Sequence, residues 1–446
     1  MDAVVTTSAP AVEPIERETI KRVAWRLMPL LMLGFFCAWL DRSNVGMAAP
    51  TMSPDLHFTN AVFGFGAGVF FVGYFLAEIP SNLILNKYGA RLWFARILIT
   101  WGIVSGLTAV VWNDWSFYGI RFLLGVAEAG FYPGVVLYLT WWFPSYYRTR
   151  MMAIFSTCSS ISLIIGMPIS GLLLELNGTL GLHGWQWLFI LEALPAIIMC
   201  FVMFFLLTDH PQDANWLPPD QKAWLIERLD SERAQREAIH KFSLGEALCT
   251  PKMWLLTAAY FMLMASNYGL AFFMPLIVKG LGVTANMIGI VSTIPYLFGL
   301  VGLLYWGWHS DVTGERSWHV ASAALLCAAA MLACALIGSG HPVWMMIALI
   351  IGLMGQSPCS AIFWSIPSAL LTGVAAAGGI AMINCLGNLG GWLGPWIYGL
   401  VKDASGGSDN VALAVLALAP VISAILMVVV GHDRRLERIP TRARRI

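Results

Sequence analysis

The stretch GIRFLLGVAEAGFYPGVVLYLTWWF, residues 119–143, decides the fold of this chain. It is long enough to cross the hydrocarbon core of a bilayer, which is ~30 Å thick, as an α-helix. Its only charged residues are Arg121 and Glu128, which lie about two helical turns apart. A charged side chain at that depth is costly and usually marks a substrate, ion or proton pathway. We therefore predict a membrane-spanning segment that also carries function.

The composition of the whole chain extends this prediction. The 446 residues are 58% hydrophobic and 11% charged, and the mean hydropathy is +0.72. Such a chain is expected to form an all-α polytopic membrane protein. The net charge of +1 argues against a nucleic-acid partner. The eight cysteines form no CxxC pair, so we predict no metal site.

The apolar stretches predict twelve transmembrane helices in two sets of six. A tail, residues 1–23, precedes an N-terminal six-helix bundle at 24–208. A polar segment at 209–251, with an amphipathic helix, leads to a C-terminal six-helix bundle at 252–431, and 432–446 form a basic tail. The predicted spans are residues 24–49, 61–83, 93–112, 117–142, 150–175, 186–208, 252–277, 286–308, 318–338, 342–369, 374–401 and 411–431.

The basic residues predict the orientation in the membrane, because loops rich in Lys and Arg stay in the cytoplasm. One set of loops carries most of these residues, and both termini fall in this set. The other set carries only Lys279 and Lys402. We therefore expect a multi-pass protein of the cytoplasmic (inner) membrane with both termini in the cytoplasm. The residues of the basic set are Lys21, Arg22, Arg26, Lys87, Arg91, Arg96, Arg148, Arg150 and Arg316, with the arginines of the C-terminal tail.

One loop pattern occurs in both halves, after the second and eighth predicted spans. The pattern G-x-x-x-D-[RK]-x-G-x-[RK] resembles the signature loop of the major facilitator superfamily, which implies two six-helix halves around a central cavity. The resemblance also implies that this loop latches the cytoplasmic side. The first copy has Asn where Gly and Asp are expected, which predicts a weaker latch there. The predicted latch residues are Asn86, Lys87, Gly89, Arg91, Gly307, Asp311, Gly314 and Arg316.

Longer motifs resemble one family within that superfamily, the anion:cation symporters. They include WLDRSNVG at 39–46, RFLLGVAEAGFYPG at 121–134 and GWQWLFILE at 184–192, with His309–Asp311 and Asn388–Gly391. The resemblance covers about residues 20–432. It implies transport of organic anions of the tartrate, phthalate and 4-hydroxyphenylacetate type, usually with protons. It also implies a carrier that works as a monomer.

The fourth predicted span supplies the main proton-site candidate, Glu128. The proton affinity of a buried carboxyl depends on its charged neighbours, so a substrate anion that binds or leaves would change its protonation. Arg121 shares the helix face of Glu128 and is a candidate to bind substrate or to act on Glu128. Gly125 between them is expected to leave open space. The alternatives are a permanently neutral Glu128 and an Arg121 that reaches the outer water.

The first predicted span supplies Arg42 as the candidate for the substrate carboxylate, because a guanidinium offers a planar fork of donors. Asp41 points about 100° away around the helix. It is either a second proton acceptor or a structural partner for another helix, and the family resemblance implies proton coupling. In the alternative interpretation both residues lie near the end of the span and reach water.

Several polar and aromatic side chains occupy expected cavity positions. Asn388 is the foremost of them, because its amide lies in a Gly-rich segment where helices can approach closely. Trp39 stands where the family has tyrosine, which favours an aromatic or less hydroxylated acid. Glu78 and Glu192 are expected to lie outside the core site. The candidates for substrate binding are Trp39, Arg42, Tyr74, Arg121, Ser159, Tyr268, Trp364, Asn384 and Asn388.

These observations predict a secondary transporter that imports a small organic carboxylate with protons by alternating access. We expect no cofactor, and the proton would be the coupling ion. The alternatives are a proton-independent exchanger or uniporter of the same fold and a non-transporting membrane sensor. An enzyme is not expected, because the sequence contains no HExxH motif and no catalytic Ser-His or Asp-Asp pairing.

Overall fold

The computed structural model describes residues 14–238, 251–370 and 373–431, and regular structure within them is helical. The prediction of an all-α membrane protein is confirmed. The N-terminal half contains the helices α1 (Pro14–Asp55), α2 (Asn60–Tyr88), α3 (Ala90–Leu107), α4 (Asp114–Glu128), α5 (Phe131–Trp142), α6 (Ser145–Leu174) and α7 (Gly184–Leu206). Helix α8 (Pro219–Ala238) follows. The C-terminal half contains α9 (Pro251–Gly280), α10 (Ile288–Thr313), α11 (Ser317–Ile337), α12 (Pro342–Phe363), α13 (Ser365–Leu370), α14 (Gly373–Asn388), α15 (Gly390–Ala404), α16 (Asp409–Leu416) and α17 (Leu418–Val430).

In this part of the chain, 11 helical segments are long and apolar enough to cross a membrane. The remaining predicted span, 374–401, consists of α14 and α15, which are interrupted at Leu389 and are each too short to be counted alone. The predicted tails up to residue 13 and from 432 onwards lie outside the described residues, as do residues 239–250 of the polar segment. Residues 371 and 372, where the tenth and eleventh predicted spans were separated, lie outside them as well.

The fourth predicted span is interrupted inside the membrane. Helix α4 ends at Glu128, and α5 starts at Phe131 after Gly130, whose φ of 91° lies in the left-handed region that favours glycine. Pro133 has no N–H group to continue the hydrogen-bond pattern of α4. The continuous helix predicted across Glu128 is therefore wrong. The carboxyl group lies instead at the end of a helix, a common place for binding groups in transporters.

The two halves meet mainly along three helix pairs, α2 with α15, α6 with α10, and α1 with α9. Small residues allow these approaches: a methyl group on Gly68 would lie 2.7 Å from the Cα of Trp392. Gly171 and Gly289 also bring α6 and α10 close together, because a methyl group on Gly171 would lie 3.3 Å from the Cα of Gly289. Close backbone contact of this kind is the usual way in which membrane helices associate.

The halves are tied together at one face of the bundle. We call the face where α1 begins the amino-terminal face, and the face where α1 ends the opposite face. At the opposite face, Asp403 of α15 accepts hydrogen bonds from the backbone N–H groups of Asn60 and Ala61, at 3.1 and 2.7 Å. Lys279 of α9 donates to the carbonyl oxygen of Pro50 at 2.7 Å. These polar contacts hold the halves together at the opposite face.

Candidate functional site

The centre of the site is an ion pair between Arg42 of α1 and Glu128 at the end of α4. The Nη2 atom of Arg42 lies 2.5 Å from Oε1 of Glu128, and its Nε donates to the same oxygen at 2.8 Å. The Arg42 side chain is 13% exposed and the Glu128 side chain 2%. Oε2 of Glu128 is buried and has no hydrogen-bond partner among the described residues. The pair therefore leaves one carboxylate oxygen without a donor.

Aromatic rings surround the guanidinium group of Arg42. Its Cζ atom lies 5.6 Å from the ring centre of Trp39, 5.3 Å from Phe70 and 5.4 Å from Tyr74. Such ring faces attract a cation. Nη1 also donates to the hydroxyl group of Tyr268 at 3.5 Å, and Tyr268 belongs to α9 in the other half. The predicted residues Trp39, Arg42, Tyr74 and Tyr268 thus meet at one place, together with Glu128.

Phe70 is a site residue that sequence reasoning missed. Its ring lies 5.3 Å from the Cζ atoms of both Arg42 and Arg121. An apolar side chain in an apolar helix gives no chemical signal by itself. The available signal was its spacing, since it lies four residues before Tyr74 and therefore on the same face of α2.

Arg121 lies behind Phe70 and is 1% exposed. Its Nη2 donates to the carbonyl oxygen of Ala67 at 3.2 Å, and its Nε has no partner within the described part of the chain. The predicted open space at Gly125 is wrong. The backbone of α2 at Phe70 fills it, because a methyl group on Gly125 would lie 2.9 Å from the carbonyl carbon of Phe70. Glu128 is held by Arg42 of α1, and Arg121 bonds to α2.

Asp41 lies away from the ion pair, inside the N-terminal half. Its carboxylate accepts hydrogen bonds from Trp101 Nε1, from Ser105 Oγ at 2.9 Å and from Asn44 Nδ2 at 3.1 Å. It is 1% exposed, so the interpretation in which it reaches water is wrong. These contacts join α1 to α3 and are those expected of a structural partner. Its role in proton coupling stays a prediction.

Asn384 and Asn388 lie one turn apart on α14 and bond to each other, with Asn388 Nδ2 donating to Asn384 Oδ1 at 3.2 Å. Asn384 Nδ2 donates in turn to Oε1 of Glu78 at 2.8 Å. Glu78 was expected outside the core site, and it contacts these predicted binding residues directly. Glu192 is buried in the N-terminal half, where Ser170 Oγ donates to it at 2.7 Å.

The structure does not bring the remaining candidates, Trp364 and Ser159, to the ion pair. Trp364 packs edge-on against Tyr260 of α9, with ring centres 4.8 Å apart. Ser159 is half-buried on α6 and donates to the carbonyl oxygen of Ser156 at 2.8 Å. The roles of both in substrate binding stay predictions.

The two predicted latch loops differ in structure. At the end of α10, Asp311 and Arg316 form an ion pair at 2.6 Å around Gly314, whose φ is 69°. A methyl group on Gly307 would meet no atom within 4 Å. At the end of α2, Asn86 and Lys87 are exposed. The backbone N–H of Arg91, next to the Gly89 turn, donates to Asp209 at 2.7 Å. The role of both loops as latches stays a prediction.

Known proteins are similar to this chain over most of its length. The model of the family described as Major Facilitator Superfamily matches residues 31–395 and 256–444. A protein of Agrobacterium vitis named "Putative tartrate transporter" is 46% identical over 433 residues, which are 97% of this chain and 94% of that protein. The "Putative metabolite transport protein NicT" of Pseudomonas putida is 40% identical over 412 residues, 91% of this chain and 93% of its own.

Solved structures share the fold at low sequence identity. The xylose transporter XylE from E. coli, in a partially occluded inward open conformation, aligns with a TM-score of 0.73 at 11% identity, over 94% of this chain and 100% of that one. A bacterial homologue of the human lysosomal transporter Spinster aligns with a TM-score of 0.70 at 14% identity, over 93% and 98%. At these low identities, the two structures show that the fold is shared.

Proposed function

The chain is a membrane transporter of the Major Facilitator Superfamily, and we propose that it imports a small organic carboxylate together with protons. The substrate would bind between the halves and be released at the amino-terminal face by alternating access. The basic loops support a cytoplasmic position for that face. The proposal requires no cofactor besides the proton as coupling ion, and one chain suffices for it.

The ion pair between Arg42 and Glu128 is the observation that carries this proposal. Arg42 is held between aromatic rings and contacts Tyr268 of the other half, so it lies where the halves meet. Its Nε and Nη2 atoms both bind one oxygen of Glu128. A substrate carboxylate presents two oxygens to the same fork and can replace Glu128 with better geometry. Arg42 is thus proposed to bind the substrate carboxylate in exchange for Glu128.

The displaced Glu128 provides the coupling to protons. A buried charge that loses its partner costs about 3–5 kcal/mol, and this cost disappears when a carboxylate takes up a proton. The uncovered oxygen Oε2 of Glu128 is the atom proposed to receive it. When the substrate leaves, Arg42 becomes free again, attracts Glu128 and favours release of the proton. Substrate and proton would therefore bind together and leave together.

The relatives support a carboxylate as the class of substrate. The name of the Agrobacterium vitis protein specifies tartrate, a hydroxylated dicarboxylate. Another relative, from Acinetobacter baumannii, is named "Quinolone resistance transporter" at 40% identity over 392 residues. The aromatic rings around Arg42 suit a planar acid. The test panel therefore has to include both hydroxylated acids, such as tartrate, and aromatic acids.

The test is uptake into proteoliposomes of a panel of labelled acids: tartrate, phthalate, hydroxyphenylacetate and sugar acids. Each acid is measured with and without an inward proton gradient, in the wild type, in Glu128→Gln and in the surface control Glu175→Gln. We expect gradient-driven accumulation of at least one acid, lost in Glu128→Gln and kept in Glu175→Gln. Substrate exchange without a gradient should survive in Glu128→Gln, since Arg42 remains.

Other outcomes select the alternatives. Uptake that ignores both the gradient and the Glu128→Gln change would contradict proton coupling and indicate an exchanger or uniporter. Binding of an acid without any flux would indicate a membrane sensor built on this fold. More than one proton for each monoanion would make uptake electrogenic, which a voltage-sensitive dye would detect.

A further inference from the structure

Glu78 is a buried acid that the proposed mechanism does not use. It lies on α2 one helical turn after Tyr74, on the side of the Arg42 site that faces the amino-terminal face, and is 4% exposed. Its backbone carbonyl accepts a hydrogen bond from the side chain of Asn82, one turn further along α2, at 3.0 Å from Nδ2. Its side chain leaves α2 and reaches the other half.

Both oxygens of the Glu78 carboxylate accept from α14. Asn384 Nδ2 donates to Oε1 at 2.8 Å, and the Cys385 thiol donates to Oε2 at 2.9 Å. Asn388 Nδ2 in turn donates to Oδ1 of Asn384 and so helps to orient the Asn384 amide. Hydrogen bonds to a charged acceptor are stronger than those between neutral groups. This polar contact therefore holds the two halves together within the membrane.

The position of the contact distinguishes it from the other contacts between halves. The contacts of α2 with α15 lie towards the opposite face: they join Gly64 to Pro395, Gly68 to Trp392 and Asn60 to Asp403. The contact of Glu78 lies beyond the Arg42 site, on the side of the amino-terminal face. For a solute to leave the Arg42 site towards that face by alternating access, the two halves have to separate on that side. The bonds of Glu78 to α14 join the halves there and oppose this separation.

We propose that Glu78, Asn384 and Cys385 form an inner gate that breaks and re-forms in every transport cycle. The proposal rests on the proposed function, since it assumes alternating access around the Arg42 site. Glu78 is then a positioning residue, because it controls the separation of the halves and does not touch the substrate.

The first test is independent of the transported substrate. Cys385 is covered while the gate is closed, so the rate of its alkylation by N-ethylmaleimide in the membrane-embedded chain reports on gate opening. We expect Glu78→Ala to raise this rate about tenfold, because the donors on α14 lose a charged acceptor. Cys334, which is also buried in the same half, should keep its rate. An unchanged rate at Cys385 would overturn the proposal, even if no acid in the panel is transported.

The second test asks whether the contact must break. Glu78→Cys is combined with native Cys385 in a chain whose other seven cysteines are replaced by serine. A short bis-methanethiosulfonate reagent joins the two through disulfides, which a reductant cleaves. Cross-linking should stop uptake, and reduction should restore it. The control joins Ser81→Cys to Trp93→Cys, two neighbours within the N-terminal half that bond at 3.0 Å, and should leave uptake intact. Full uptake by the Glu78→Cys–Cys385 cross-linked chain would exclude a moving gate, whereas failure of the wild type to transport acids would count against the proposed function alone.

Discussion

Arg42 of α1 binds Glu128 of α4 through two donors that share one carboxylate oxygen, so the other oxygen of Glu128 stays buried without a donor in the described part of the chain. Arg42 also contacts the other half, through Tyr268. A change in what Arg42 binds would therefore act both on a protonatable group and on the contact between the halves. This relationship gives the proposed coupling its physical basis.

Replacement of Arg42 by lysine should reduce uptake about 10–100-fold, the effect of losing one or two hydrogen bonds to a charged group. An ammonium group offers no planar fork and stacks less well between Trp39, Phe70 and Tyr74. The measurement is initial uptake against substrate concentration in proteoliposomes, with the exposed Arg150→Lys as the matched control. A wild-type KM and maximal rate in Arg42→Lys would show that the guanidinium does not bind the substrate.

Replacement of Gly125 by alanine should destabilise the protein by about 1–3 kcal/mol, the usual cost of overpacking. The added methyl group would press against the backbone of Phe70, which carries the ring between the two arginines. The same helix contains the control, because a methyl group on Gly119 would meet no atom within 4 Å. Thermal unfolding in detergent should show a lower Tm for Gly125→Ala and no decrease for Gly119→Ala. Equal values would mean that α2 and α4 are not in such close contact.

Replacement of Asp403 by alanine should weaken closure at the opposite face. The carboxylate accepts from the first backbone N–H groups of α2 in the other half, which is the arrangement of a helix cap worth about 1–2 kcal/mol. The equilibrium should shift about 5–30-fold towards opening there. Spin labels at Leu180 and Gly340, in loops of the two halves at this face, should show a larger fraction of long distances. The control is Asp114→Ala, which removes an acid from the first turn of α4 and should leave the distances unchanged.

The architecture could be predicted from the sequence, whereas the candidate site could be predicted only in part. The major facilitator fold and the all-α spans are confirmed, because twenty-residue apolar stretches leave the backbone no alternative to a helix in lipid. The break after Glu128 was not predicted, since glycine and proline are also common in continuous membrane helices. The signal was present in Gly130 and Pro133, which lie close together after the acid.

The partners of the charged residues could not be predicted, because they depend on which helices become neighbours. Arg121 and Glu128 are close along one helix, yet Glu128 binds Arg42, which is 86 positions away in the chain. Glu78 likewise finds its donors at Asn384 and Cys385, beyond 300 positions away. Sequence spacing identifies residues that share a helix face, whereas contacts between helices follow from the packing of small residues such as Gly125 and Gly68.

Asp41 provides the last prediction, because its structural and proton-coupling roles can be separated. Ser105→Ala removes one donor and keeps the carboxyl group, and should cost about 1 kcal/mol of stability while gradient-driven uptake persists. Asp41→Asn removes the protonatable group and should abolish gradient-driven accumulation. Both variants are measured for Tm and for uptake with and without the gradient. If uptake in Asp41→Asn falls only in proportion to the lower Tm, as in Ser105→Ala, Asp41 joins α1 to α3 and carries no proton.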